Sequence, residues 1–212
     1  MRLEMIADYK CVTGEGPLWH PDEQVLYWTD IPKGRLFRYD PATGHHEQCY
    51  EGTEAIGGFT IQADGALLLF TARGAVKTWR NGKLSTIIEE IPRELDSQFN
   101  DVIAGPAGRV YCGTISTPSQ LGCLYRLDCD ASLTVVVEGI IGSNGMGFTP
   151  DRQQMYYTDS DKRDIYLFDY DQETGALTNQ RTFVHTADDG SVPDGMTVDA
   201  EGFVWSARWD GS

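Results

Sequence analysis

A pattern that recurs five times along the chain constrains its fold more than any other feature. Each copy has a short apolar segment, a tight turn and a second apolar segment, and the central turn residues are Pro21, Ala63, Pro106, Pro150 and Ala200. These turns are 42, 43, 44 and 50 positions apart. A repeat of about 40–50 residues is the length of one four-stranded unit in a radial all-β array. The spacing therefore predicts a chain of such units.

The segments inside each repeat have the composition of short strands. VLYWT at 25–29 and RLFRY at 35–39 are rich in aromatic and branched residues, and DPATG at 40–44 follows them as a turn. A helical pattern near 87–96 is interrupted by Pro92. We therefore expect an all-β fold, a six-bladed β-propeller of which this chain holds four blades and part of a fifth. We expect one propeller domain over 1–212, incomplete at its C-terminus.

Charge and cysteine content limit the partners of the protein. Lys and Arg number 17 against 32 Asp and Glu, which gives a net charge of −15. Such a surface repels phosphate backbones and anionic membranes, so neither nucleic acid nor membrane is expected to bind. The five cysteines form no CxxC pair, and no apolar signal segment or membrane span is evident. These features predict a soluble cytoplasmic protein with reduced thiols.

One position in each repeat suggests a metal site. The residues six positions before the five turns are Glu15, Gly57, Asn100, Asn144 and Asp194. Blades are related by rotation, so equivalent positions are expected to converge at one height around the axis. Side-chain oxygens suit Ca²⁺, Mg²⁺ or Mn²⁺, and Zn²⁺ also accepts carboxylates. The alternative is that the Asn and Asp residues only form turns before glycine, which does not explain the glutamate.

Four motifs show a family resemblance over residues 11–209. GEGPLW, FND, SNGMGFTPD with YYTDS, and VPDGMTVDAEGFVW resemble, in this order, the signatures of the senescence-marker-protein/gluconolactonase family, also called regucalcin-like. The resemblance implies a six-bladed propeller with one divalent cation on its axis, for which Ca²⁺ is favoured and Mg²⁺, Mn²⁺ and Zn²⁺ are alternatives. It also implies that a lactone is the small-molecule substrate.

The resemblance assigns roles to individual residues. Glu15, Asn144 and Asp194 correspond to the metal ligands of the family, and Asp194 also corresponds to its general base. Asn100 corresponds to a substrate contact. The expected reaction is attack of a metal-activated water on the lactone carbonyl, with Asp194 accepting the proton. Gln98 stands where relatives commonly carry a substrate-binding arginine, and we expect Gln98 to orient substrate oxygens.

Other features keep non-catalytic functions open. Where relatives often have an acidic substrate contact, this chain has only the neutral Thr117, Ser119 and Gln120. YWTD at 27–30 and YYTD at 156–159 are similar to repeats of protein-binding receptor propellers, although such a pattern also suits any blade. A calcium-binding or regulatory propeller without catalysis is the other alternative. Phe99, Met146 and Trp209 are candidate walls of a substrate pocket, with core packing as the alternative.

Overall fold

The computed structural model describes residues 4–211, and every regular element longer than one helical turn in this range is a β-strand. The all-β prediction is therefore confirmed. The chain divides into two compact units, one ending at Leu95 and the other beginning at Asp96. The prediction of one domain over 1–212 stays a prediction, and its residues 1–3 and 212 lie outside the described residues.

The first unit contains two four-stranded antiparallel sheets, each with its strands in chain order. Blade 1 consists of β1 (Gly14–His20), β2 (Val25–Asp30), β3 (Arg35–Asp40) and β4 (His45–Glu51). Blade 2 consists of β5 (Ile56–Ile61), β6 (Leu67–Thr71), β7 (Val76–Arg80) and β8 (Lys83–Ile88). The core between these sheets contains Tyr27, Leu36, Ile56, Phe59, Leu67, Leu69 and Trp79. Alternate residues of each strand point to opposite faces, which lets both sheets contribute to this core.

The second unit repeats the same arrangement. Blade 3 consists of β9 (Phe99–Ala104), β10 (Val110–Thr114), β11 (Gly122–Leu127) and β12 (Leu133–Ile140). Blade 4 consists of β13 (Ser143–Phe148), β14 (Gln154–Asp159), β15 (Asp164–Tyr170) and β16 (Leu177–His185). A two-stranded sheet follows, with β17 (Val192–Val198) and β18 (Val204–Trp209). The core of the second unit contains Tyr111, Leu124, Val137, Ile140, Met146, Met155, Tyr157, Tyr166, Phe168 and Tyr170.

Each four-stranded sheet with strands in chain order is a blade of a β-propeller. Four blades and the first strands of a fifth are thus present, and the number of six blades stays a prediction. The predicted helical patch is limited to a single 3-10 turn at Pro92–Glu94, since proline has no amide to continue a helical ladder. Among residues 4–211, no helix is long and apolar enough to cross a membrane.

The aspartates of YWTD and YYTD hold the backbone of their own blades. Asp30 is fully buried and accepts hydrogen bonds from the amides of Val12 and Thr13 at 3.1 and 3.0 Å. Asp159 is also fully buried and accepts the amide of Gly142 at 3.0 Å and that of Ile141. Each carboxylate thus fixes the segment that leads into the first strand of its blade. The structural role of these aspartates explains the YWTD and YYTD motifs without a protein-binding function.

Replacement of Asp159 with alanine is expected to destabilise the protein by about 1–3 kcal/mol, because the partly buried amides of Ile141 and Gly142 lose their fully buried acceptor. The Lys162 ammonium, 3.2 Å from the carboxylate, loses its partner too. The free energy of unfolding, measured by urea titration, checks this value. Alanine at Asp161, an exposed residue two positions further on, is the matched control. Equal unfolding midpoints for the two variants would contradict a structural role of Asp159.

Candidate functional site

The ladder registers place the five predicted positions at equivalent points of the first strands. Each position directly follows a residue that pairs with the end of the second strand of the same sheet. These pairs are Gly14 with Asp30, Ile56 with Thr71, Phe99 with Thr114, Ser143 with Asp159, and Pro193 with Arg208. The residues that follow them are Glu15, Gly57, Asn100, Asn144 and Asp194. The strand pairing is independent of the turn spacing from which these five positions were predicted, and it identifies the same five positions.

A β-bulge contains this position in four sheets and directly follows it in blade 1, where Glu15 still pairs with Thr29. In blade 4 the ladder shifts between Ser143 and Met146, so that Asn144 and Gly145 together oppose one residue of β14. In the two-stranded sheet the shift lies between Pro193 and Met196, and it contains Asp194. A bulge bends its strand and redirects side chains, and bulges are frequent next to active sites. The glycine after the polar residue in GEG, SNG and PDG is the sequence signal for it.

The second unit brings three of the predicted residues onto neighbouring strands. The Asn100 Nδ2 atom on β9 donates a hydrogen bond to the backbone oxygen of Ser143 on β13, at 2.8 Å. A Cβ atom built on Gly145 would lie 2.6 Å from the backbone oxygen of Asp194 and from the amide nitrogen of Met196. Strand β13 therefore approaches β9 on one side and β17 on the other, where Asn100, Asn144 and Asp194 lie.

The carboxylate of Asp194 is the chemically notable group of this cluster. Asp194 is partly buried, and no group among the described residues donates a hydrogen bond to its side chain or forms an ion pair with it. Its oxygens are therefore available to bind a cation or to take a proton from a water molecule. Asn144 differs, because its Oδ1 atom accepts the amide of Gly145 at 3.1 Å. The arrangement can therefore accept a proton at Asp194.

Glu15 lies on β1 in the first unit. It is partly buried, and its Oε2 atom accepts the amide of Gly16 at 3.3 Å. Gly16 has a φ of 59° at the start of the bulge in blade 1, a conformation that favours glycine. Local structure thus gives Glu15 the same kind of support that Asn144 has in blade 4.

The predicted donor set fits a hard divalent cation by its chemistry. Glu15 and Asp194 supply carboxylate oxygens, and Asn144 supplies an amide oxygen, all of which are ligands that Ca²⁺ prefers. Within residues 4–211, no three His, Cys, Asp or Glu side chains cluster as a metal site. The predicted set does not need such a cluster, because an asparagine is its third member.

A buried hydrogen bond at Ser143, the residue whose backbone oxygen binds Asn100, was not predicted from the sequence. The Tyr157 hydroxyl donates to the Ser143 Oγ atom at 2.9 Å, and both residues are fully buried. Burial raises the pKa of Tyr157, so the hydroxyl keeps its proton and remains a donor. Gly113 leaves the space that the Ser143 side chain occupies, since a Cβ there would overlap it. This packing holds Ser143, whose backbone oxygen binds Asn100.

The residues predicted to surround the substrate lie in two segments of blade 3. Gln98 is partly buried just before β9, and its backbone oxygen accepts the amide of Ile115 at 3.2 Å. Thr117 closes its own loop, because its Oγ1 atom accepts the amides of Ser119 and Gln120 at 3.3 and 3.2 Å. The neutral groups of this loop therefore bind one another.

Two of the predicted pocket walls are core residues. Phe99 is fully buried, and Met146 is 4% exposed within the core of the second unit. Phe99 alternates with Asn100 along β9, whereas Met146 is separated from Asn144 by the bulge in β13. The pocket interpretation is therefore wrong for these two residues, and the core alternative is correct. Trp209, in contrast, is 49% exposed at the end of β18.

Known proteins resemble this chain over nearly its whole length. Residues 13–212 match the family model described as SMP-30/Gluconolactonase/LRE-like region. Pentonolactonase XacC of Haloferax volcanii is 49% identical over 100% of this chain and 72% of its own length. A 6-deoxy-6-sulfogluconolactonase of Pseudomonas putida is 32% identical over 99% of this chain and 72% of its own. In fold, the chain matches a solved regucalcin of Agrobacterium tumefaciens with a TM-score of 0.87 and 21% identity, over 96% of this chain and 70% of that one.

Proposed function

Because the chain belongs to the SMP-30/gluconolactonase/LRE-like family, we propose that it is a lactonase that opens the cyclic ester of a sugar acid. The observation that carries the proposal is the partly buried Asp194 carboxylate without a partner among the described residues, in the same strand register as Asn100 and Asn144. The pentonolactonase and sulfogluconolactonase relatives support a sugar lactone as the substrate class.

In the proposed reaction, Asp194 accepts a proton from the water that attacks the lactone carbonyl carbon. The ring C–O bond then breaks, and the leaving alkoxide takes the proton that Asp194 accepted, which gives a hydroxy acid and restores the Asp194 carboxylate. Asn100 uses one Nδ2 hydrogen for Ser143, so its second Nδ2 hydrogen and its Oδ1 atom serve to orient the substrate. Gln98, directly before β9, contributes further neutral contacts to substrate oxygens.

Within the second unit, Asn144 and Asp194 are the residues that would bind a divalent cation, with Ca²⁺ favoured and Mg²⁺, Mn²⁺ and Zn²⁺ as alternatives, and Glu15 as a third ligand stays a prediction from the sequence. When bound, the cation supplies Lewis-acid polarisation of the ester carbonyl and stabilises developing negative charge.

A hydrolysis assay on a panel of lactones, with and without chelator, tests the proposal. We expect turnover of sugar lactones, with five-carbon aldonolactones preferred because the pentonolactonase shares 49% identity with this chain. Removal of divalent cations with EDTA is expected to lower kcat more than tenfold, and titration with Ca²⁺ should restore it. Ester hydrolysis is followed by release of acid in a pH-indicator assay.

The outcomes of this assay separate the candidate functions. Full activity after exhaustive chelation would contradict the metal-dependent mechanism. If Ca²⁺ binds by calorimetry but no lactone on the panel is opened, cation binding without catalysis replaces the lactonase proposal. Activity of the Asn144→Ala and Asp194→Ala variants at the wild-type level would remove both residues from the site.

A further inference from the structure

Arg208 occupies a strand position that carries a buried aspartate in two other blades. Asp30 pairs with Gly14, Asp159 with Ser143, and Arg208 with Pro193, each at the start of a first strand. The two aspartates accept backbone amides from the segment that precedes this strand. A guanidinium has only donors, so Arg208 cannot make these contacts.

The segment before β17 presents acceptors to Arg208 instead of amides. The Nε atom of Arg208 donates to the Ser191 Oγ atom at 2.9 Å. One terminal nitrogen donates to the Ser191 backbone oxygen and to the Asp189 Oδ1 atom, both at 3.1 Å. In blades 1 and 4 the side chain at this position accepts hydrogen bonds from the preceding segment, whereas Arg208 donates hydrogen bonds to it. The position in the sheet is the same.

A second arginine, Arg163 of blade 4, also donates hydrogen bonds to the segment that precedes β17. Arg163 donates to the backbone oxygens of Ser191 and Ala187 at 2.6 and 3.2 Å. The Ser160 Oγ atom donates to the backbone oxygen of Pro193 at 2.7 Å. Ser191 is only 5% exposed, so its groups depend on these protein partners. Residues 187–193 are thus fixed up to the residue before Asp194.

The acidic partner of Arg208 stays ionised at neutral pH. Hydrogen bonds from the Ser191 side chain and backbone, with Arg208 nearby, lower the pKa of Asp189 to about 2. The contact between Arg208 and Asp189 therefore has full charge on both sides over the range in which an enzyme assay is run. Charge-assisted hydrogen bonds of this kind are stronger than neutral ones.

We propose that Arg208 is a positioning residue for Asp194. By binding residues 187–191 and pairing with Pro193, it sets the course of β17 at the bulge that carries the Asp194 carboxylate. The proposal rests on the proposed role of Asp194 in hydrolysis. Arg208 acts through the backbone, so its loss should alter the chemical step more than substrate binding.

The test compares Arg208→Gln and Arg208→Lys with Arg181→Gln as the matched control. Arg181 is an arginine of the same unit that pairs with Asp169 at 3.0 Å, and both side chains are exposed. We expect Arg208→Gln to lower kcat about tenfold with KM within twofold of wild type, and Arg208→Lys to recover part of the loss. Amide hydrogen exchange of residues 187–194 should be at least tenfold faster in Arg208→Gln. Arg181→Gln should match wild type in both measurements.

Several results would overturn the proposal. These are an unchanged kcat in Arg208→Gln, a raised KM with kcat retained, or faster exchange throughout blades 3 and 4, which would indicate general destabilisation. If the wild-type protein opens no lactone, the proposed function fails by itself. The positioning of Asp194 is then judged by Ca²⁺ affinity and by exchange of residues 187–194. A tenfold weaker affinity with faster local exchange in Arg208→Gln supports it, and wild-type values of either overturn it.

Discussion

Replacement of Asp194 with asparagine is expected to lower kcat for lactone hydrolysis by about 10³-fold, the size of a lost general base. Asparagine keeps the shape of the side chain and one oxygen that can bind a cation, but it cannot accept a proton. The carboxylate has no hydrogen-bond donor or ion-pair partner among the described residues, so the substitution should leave stability nearly unchanged. Initial rates at saturating lactone and the unfolding midpoint check these expectations.

Two further variants define what the Asp194→Asn result means. Asp194→Ala removes the oxygen as well and should weaken Ca²⁺ binding, whereas Asp194→Asn should bind Ca²⁺ more tightly than Asp194→Ala does. Asp22→Asn, in the exposed turn between β1 and β2, changes charge equally and should keep full activity. A wild-type kcat in Asp194→Asn would exclude this residue as the base.

Substitution of Gly145 with alanine is expected to cost about 1–3 kcal/mol of stability, the usual penalty of overpacking. The added Cβ would lie 2.6 Å from the backbone oxygen of Asp194 and from the amide of Met196, and a backbone cannot move aside as a flexible side chain can. Strands β13 and β17 must therefore separate. Because small displacements of catalytic groups can lower rates about 10²-fold, kcat should fall by at least that factor.

Gly195 provides the matched control for this prediction. It lies in the facing bulge next to Asp194, but a Cβ built there meets no atom within 4 Å and its φ is not in the left-handed region. Gly195→Ala should therefore unfold at the same urea concentration as the wild-type protein. If Gly145→Ala also unfolds there, the close approach of β13 and β17 does not limit stability.

The repeats could be predicted well because their signals are local. Turn residues such as those at 40–44 and 171–175, and the alternation of apolar residues in VLYWT, act over a few positions. The same property limited the prediction of side-chain roles. Asp30 and Asp159 bind amides 17–18 positions earlier in the chain, and no local pattern indicates this. The sequence left both a pocket wall and core packing open for Phe99 and Met146 for the same reason, since burial depends on the neighbouring strand.

The sequence by itself determined the repeating β units and the five equivalent positions, four of them polar, because both follow from turns and residue alternation at a regular spacing. Only the tertiary structure decided what surrounds these positions. The contact of Gly145 with the Asp194 backbone joins residues 49 positions apart, and Arg208 replaces an aspartate only because the facing segment presents oxygens instead of amides. Such matches depend on which strands lie side by side, and that is a property of packing between distant parts of the chain.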